Sequence, residues 1–266
     1  MSPNNWLGLA GKNAVVTGAG GGIGRGIALE LAREGATIMV IDLDESGAHE
    51  TVAMIEQATG AKAMHFACDT ADAKQIAAAA GVLRSEVGPA DVLVNNAGII
   101  GRGTLMDTSL DDWQRVIDVN LTGYLLCARE FGRDMLERRS GSVVNVSSIC
   151  GVHPNPQAGA YSPSKAAVSM LSRQLAVEWA RHGVRSNAVA PGLIWTPLSD
   201  ASYSDPSIKK AREGLVPMGT IGMPADIANA AAWLASPRSG YVTGQEIVVD
   251  GGLDQALLGL LSTASN

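Results

Sequence analysis

The stretch Asn13-Ala14-Val15-Val16-Thr17-Gly18-Ala19-Gly20-Gly21-Gly22-Ile23-Gly24 decides how this chain folds. Its first five residues form an apolar, β-branched run, the mark of a strand covered on both faces. Glycines at 18, 20, 21, 22 and 24 then allow a turn tighter than side chains permit, and a helical pattern runs on over 23–34. A strand, a glycine turn and a helix in direct succession open a β-α-β unit.

The same alternation continues along the chain. Strands are expected at 13–17, 37–42, 61–67, 91–95, 142–147, 184–190 and 246–250, most of them near-continuous apolar runs. Helices are expected at 23–34, 45–58, 72–87, 110–137, 160–182 and 225–235. Regular alternation of this kind implies a parallel sheet with helices on both faces. No linker, repeat or low-complexity tract interrupts it, so residues 1–266 read as one domain. The exception is 191–224, which holds five prolines and looks helical only at 207–213. A long irregular segment after a strand C-terminus reads as a binding loop.

Composition narrows the function classes. The 266 residues are 46% hydrophobic, which excludes disorder and is ample for a core. The formal net charge is −6 and no Lys/Arg run occurs, which argues against nucleic acid or an anionic membrane as partner. Cys68, Cys127 and Cys150 are odd in number and far apart, which points to buried thiols in a reducing compartment. No basic-then-apolar leader and no apolar stretch of about 18 residues is visible, so a cytoplasmic protein without a membrane span is expected. His49, His65, His153 and His182 are scattered without ligand spacing, so no metal is expected.

The glycine turn carries chemistry of its own. Gly18, Gly20, Gly22, Ile23 and Gly24 place unpaired N–H groups and the positive end of a helix where a pyrophosphate can approach. Asp42, with Leu43, ends the second strand 24 residues beyond Gly18. A carboxylate there accepts from ribose hydroxyls and repels a 2′-phosphate, and no Lys or Arg lies between Gly18 and Ile23. The expected architecture is therefore a single-domain, Rossmann-type doubly wound sheet of about seven strands binding a dinucleotide, NAD in preference to NADP.

Tyr161 and Lys165 stand four apart at the start of a helix and share a face. Such a pair alone is usually solvated surface. Here Ser147 and Ser148 end the fifth strand, Asn120 lies in the long fourth helix, and Asn95-Asn96-Ala97-Gly98 closes the fourth strand. All gather on the sheet edge that carries the glycine loop.

With these residues in view, the sequence resembles the short-chain dehydrogenase/reductase family, in its single-domain NAD-dependent branch, over about 9–253. Residues 17–24 look like its TGxxxGxG loop and 95–98 like its NNAG motif. Ser148, 13 residues before Tyr161, has the spacing of the family's catalytic serine and is chosen over Ser147. The resemblance implies a catalytic tetrad of Asn120, Ser148, Tyr161 and Lys165. It implies cofactor contacts from Asp69 and Thr70 beside the adenine, from Asn96, Ala97 and Gly98, and from Pro191, Gly192, Ile194 and Thr196 near the carboxamide. It also implies a homotetramer; separately, the apolar run 256–261 in the tail 253–266 is expected to meet a neighbouring subunit, because exposed leucine clusters mark interfaces.

The chemistry implied is oxidation of a CH–OH group, or reduction of its ketone, with NAD(P). A free tyrosine ionises too high to be a base at neutral pH, and the Lys165 ammonium with an oxidised nicotinamide is expected to lower it. Tyr161 then exchanges the hydroxyl proton, Ser148 holds the reacting oxygen, Lys165 also anchors the ribose and Asn120 holds a water. For the substrate, Ser148 and Tyr161 are joined by His153, Asn155 and Gln157 on one loop and by Leu193, Trp195 and Leu198 on the other. Three alternatives stay open. One is a 3-oxoacyl-acyl-carrier-protein reductase, with Arg139 and His182 where a carrier would dock. The second is an epimerase or dehydratase using NAD without net redox change. The third is a non-catalytic dinucleotide sensor on the same fold.

Overall fold

The structure is a computed structural model and describes residues 6–197, 199 and 203–256. Its strands are β1 (Asn13–Thr17), β2 (Thr37–Asp42), β3 (Ala63–Ala67), β4 (Val92–Asn95), β5 (Gly141–Val146), β6 (Val184–Pro191) and β7 (Glu246–Val249). They form one sheet in the order β3-β2-β1-β4-β5-β6-β7, with every neighbouring pair parallel. The helices are α1 (Gly22–Arg33), α2 (Glu45–Thr59), α3 (Ala73–Glu86), α4 (Leu110–Ile117), α5 (Gly123–Arg138), α6 (Tyr161–Trp179), α7 (Pro206–Glu213) and α8 (Pro224–Ala235).

The two-sided burial of the sheet explains its unbroken apolar runs. Ala14, Val16, Ile38 and Val40 face one layer, packing with Ile27 and Leu31 of α1 and with Ile227 of α8. Val15, Met39 and Ile41 face the other, with Ile76 of α3, Phe131 of α5 and Leu175 of α6. Each fully buried aliphatic side chain contributes roughly 1.5–3 kcal/mol, so these two layers hold the sheet. Gly26 lets α1 and α8 touch, since a Cβ there would lie 2.9 Å from Pro224 Cβ. Short polar side chains start several helices: Asp44 accepts from the Ser46 N–H at 3.1 Å, and Asp72 from those of Lys74 and Gln75 at 2.8 and 3.3 Å.

The winding places the site. The chain begins at β1 in mid-sheet, runs outward to β3, then returns to β4 on the other side of β1. A crevice opens beyond the C-terminal ends of β1 and β4, where open α/β sheets bind ligands.

The expected helix 110–137 is interrupted. A single π turn, Asp118–Thr122, separates α4 from α5 and carries the buried Asn120. The extra residue turns the Asn120 amide inward, and Gly123 follows it where a Cβ would lie 2.8 Å from the Thr70 carbonyl oxygen. Other boundaries differ by three residues or fewer; α7 starts at Pro206 because Asp205 caps it, accepting from the Ser207 N–H at 2.8 Å. Cys68 and Cys127 are buried free thiols, and Cys150 is partly buried. Among the described residues, no helix is long and apolar enough to cross a membrane, and no three His, Cys, Asp or Glu side chains group as a metal site. Of the expected tail contact at 256–261, all but Ala256 lies outside the described residues, as does Leu198.

Candidate active site

The end of β4 braces the glycine loop. Thr17 Oγ1 accepts the N–H groups of Asn96 and Ala97 at 3.0 and 3.1 Å. The Asn96 amide donates in return to the carbonyl oxygens of Thr17 and Gly18, at 3.0 and 2.9 Å. The two turns lie so close that a Cβ on Gly18, whose φ is +63°, would fall 2.6 Å from Ala97 Cα. Gly24 is pinned beneath the loop by the Gly18 carbonyl. Gly21, by contrast, borders the cleft with nothing within 4 Å of where its Cβ would point. Bare backbone at the N-terminus of α1 is thus presented to open space, which fits a diphosphate. At the end of β2, Asp42 Oδ2 accepts the Gly20 N–H at 2.7 Å and Oδ1 that of Asp44 at 3.0 Å, which fixes the carboxylate beside the loop.

One cleft of about 1000 Å³ runs from this loop to the end of β5. Gly18, Gly22, Ile23, Asp42, Leu43, Asp69 and Thr70 line one part of it, with Asn96, Ala97 and Gly98 at the centre. Ser148, Tyr161, Lys165, Pro191, Gly192, Leu193, Ile194 and Thr196 complete it. Gly20, Gly24 and Asn120 stand behind the lining, where they hold other residues in place.

The candidate substrate residues divide. Leu193 lines the cleft; His153, Asn155 and Trp195 do not. His153 Nε2 pairs with Asp254 Oδ1 at 2.5 Å, so its ring is turned to the C-terminal segment. The Asn155 N–H donates to Ser162 Oγ at 3.0 Å, and Trp195 packs on Tyr203 with centroids 5.9 Å apart. The Lys209 ammonium lies 5.1 Å from the Trp195 ring centre.

The two serines after β5 have different duties. Ser147 Oγ lies within hydrogen-bond reach of both the Val189 carbonyl and the Glu246 carboxylate, which share its single proton, so it ties the end of β5 to β6 and β7. Ser148 borders the cleft, accepts the Cys150 N–H at 3.1 Å and hydrogen-bonds Tyr161. Asn120 is saturated on its donor side: its amide donates to the Ile99 carbonyl and to Ser164 Oγ, each at 3.0 Å. Its carbonyl accepts the Ile99 N–H at 2.8 Å and keeps one lone pair free, the only capacity left for a water.

Burial sets the proton affinities. It pushes the Tyr161 phenol up to about 12, against the opposing hydrogen bond from Ser148. It pushes the Lys165 ammonium down to about 8. The expectation of a lowered Tyr161 is therefore not met by the protein alone, because loss of hydration outweighs an ammonium 5.9 Å from the ring centre.

Two features of the cleft carry no local sequence signal that marked them. Tyr203 lines it from within the irregular loop, and Asp111, Asp112, Arg115 and Asp118 reach its rim from α4 and the π turn. A third residue, Tyr124, touches Lys165; its spacing of four from Asn120 is the signal that could have found it.

Comparison with known proteins agrees with this geometry. A family model described as enoyl-(acyl carrier protein) reductase matches residues 18–254. The chain is 42% identical over 247 residues to 3beta-hydroxysteroid dehydrogenase 1 of Eggerthella lenta, covering 92% of this chain and 94% of that one. It is 39% identical over 242 residues to a 3-oxoacyl-[acyl-carrier-protein] reductase of Staphylococcus aureus, covering 91% and 98%. The crystal structure of a gluconate 5-dehydrogenase from Burkholderia cenocepacia, in complex with NADP and tartrate, superposes with a TM-score of 0.89 at 35% identity, covering 95% of this chain and 99% of that one. With its glycine loop, sheet order and matched length, the chain belongs to the short-chain dehydrogenase/reductase family.

Proposed function

We propose that this protein is a cytoplasmic, homotetrameric NAD-dependent oxidoreductase that moves a hydride between a secondary alcohol, or its ketone, and the nicotinamide, with residues 1–266 acting as one catalytic unit. The observation that carries the reading is the convergence of Ser148, Tyr161 and Lys165 with the glycine loop in one cleft. Kinship with dehydrogenases over nine-tenths of the chain supports it.

In reduction, Tyr161 is a partly buried neutral phenol that donates its proton to the carbonyl oxygen, with Ser148 holding that oxygen in line. In oxidation it accepts the hydroxyl proton, which needs positive charge nearby, and Lys165 supplies one such charge. When bound, a nicotinamide dinucleotide accepts or returns the hydride at the carbinol carbon and, in its oxidised form, adds a second positive charge beside the phenol. Asn120 offers its free lone pair to a water on the path from Lys165 to solvent. Leu193 and, across the cleft, Ile99 and Ile100 supply apolar walls for the substrate. His153 and Asn155 act through the loop they fasten.

The NAD preference rests on Asp42, whose fixed carboxylate suits ribose hydroxyls and repels a 2′-phosphate. Arg25, the cation nearest the loop in sequence, is committed to Glu50 at 2.6 Å and to Thr51 at 2.9 Å. The Burkholderia relative was crystallised with NADP, so both cofactors belong in the assay. The Staphylococcus relative favours a second substrate class, a 3-oxoacyl thioester, although Arg139 here is engaged with the Arg181 carbonyl at 2.5 Å.

The test is a screen of alcohols, and of an acetoacetyl thioester, for NADH formation or consumption. Wild type is expected to favour NAD over NADP in kcat/KM; equal values overturn the preference. Tyr161→Phe should lose about 10²–10⁴ in kcat while binding NAD as before. A variant keeping more than roughly a tenth of kcat would remove Tyr161 from the chemistry.

A further inference from the structure

Lys165 is buried, and its ammonium has three N–H donors and no acceptor. One donor goes to the Val146 carbonyl oxygen at 2.9 Å, and a second to Tyr124 Oη at 3.4 Å. Tyr124 is only 1% exposed and donates its own proton to the same Val146 carbonyl at 3.1 Å. That donation fixes the hydroxyl. With its only proton committed, Oη turns its lone pairs to the ammonium. The ring adds a second support, since Nζ lies 5.3 Å from its centre. The third N–H of Lys165 is left for the cleft, where a Cβ on Gly98 would come 3.5 Å from Nζ.

We propose that Tyr124 is a positioning residue for Lys165, holding the ammonium so that one N–H faces the cleft for a ribose hydroxyl of the dinucleotide. The assignment of that ribose rests on the oxidoreductase reading above; the hold on Lys165 does not. Tyr124 suits the task because it does not itself ionise. Burial first, and then the neighbouring Tyr161, push its phenol well above the ordinary tyrosine range. Lys165 needs the help because burial costs its ammonium the water that normally solvates it, and each acceptor replaces part of that loss. The groups facing it are Tyr124 from α5, Tyr161 on its own helix, Cys150 from the turn after β5 and the neutral Asn120 from the π turn.

Tyr124→Phe deletes one oxygen and keeps the ring. In the cofactor-free protein, the Lys165 titration, followed by NMR of ε-labelled lysine, should fall by about one pH unit. The Kd for NADH, followed by fluorescence, should weaken roughly fivefold, and the alkaline limb of kcat/KM should move to lower pH. Tyr124→Leu, which removes the ring as well, should move all three further. A purely structural role would lower Tm and leave the Lys165 titration in place. Wild-type titration with wild-type Kd in Tyr124→Phe therefore overturns the proposal. Should that variant fail to fold, the wild type decides: a nuclear Overhauser contact between the Lys165 ε-methylene and the Tyr124 ring is expected, and its absence overturns the geometry. Because the titration is read without cofactor or substrate, it separates failure of this role from failure of the oxidoreductase reading.

Discussion

Tyr161 and Lys165 show opposite consequences of the same burial. The folded Lys165 ionises at about 8 against an ordinary 10.5, so between these values only the unfolded chain keeps the proton. Unfolding then takes up a proton, and stability rises with pH across that window. Tyr161 behaves inversely: between 10 and about 12 only the folded chain keeps its proton, and stability falls as pH rises. The buried lysine charge costs on the order of 3 kcal/mol at neutral pH. Lys165→Met is therefore expected to be roughly 1–3 kcal/mol more stable at pH 7 in urea unfolding and to lose the rise between pH 8 and 10. Parallel pH dependence in variant and wild type would mean that Lys165 ionises normally. That Tyr161 and Lys165 share a face was legible from their spacing of four on one helix, whereas the grouping of Asn120 and Ser148 with them came only from the family resemblance. The division of labour between Ser147 and Ser148 is set by partners 42 and 99 positions away, and family spacing rather than chemistry chose between them.

The loop from Ser148 to Tyr161 shows how an element is governed from outside itself. Its His153 is clasped by Asp254, whose N–H donates to Asp250 Oδ2 at 2.6 Å. Asp250 in turn packs against Gly192, and the Gly251 carbonyl accepts the Met218 N–H at 3.1 Å. The segment after β7 thus touches the cleft lining at Gly192 and, outside it, the loop that carries His153. His153→Ala is expected to lower kcat/KM severalfold, mainly through KM, with the NAD Kd unchanged and Tm shifted little, because a solvent-accessible side-chain hydrogen bond is worth about 1 kcal/mol. Asp254→Asn should do the same, and the double variant should be no worse than either single one. A silent Asp254→Asn beside an impaired His153→Ala would show that the ring acts on substrate directly. The π turn makes the same point. Helical periodicity over 110–137 reads as one helix, because nothing local to 118–122 marks an inserted residue whose purpose is to reach Ile99.

The assembled molecule leaves apolar side chains on its outer helices: Leu125 of α5 is 39% exposed, and Met170 and Val177 of α6 are 58% and 77% exposed. Light scattering is expected to give the mass of four chains, and deletion of 256–266 to lower it. A monomer mass overturns the tetramer, and an unchanged mass after deletion removes the tail from the interface. Strands, helices and the glycine loop could be read directly from the chain, since apolar runs, caps and glycines act within a few residues of themselves. Asp42 could be read too, because the end of β2 follows from its own pattern. The inward amide of Asn120, the turning of His153 to Asp254 across 101 positions and the hold of Tyr124 on Lys165 across 41 could not. Each depends on which surfaces meet once the layers pack, and a hydrogen bond between distant residues leaves no periodic trace in either segment.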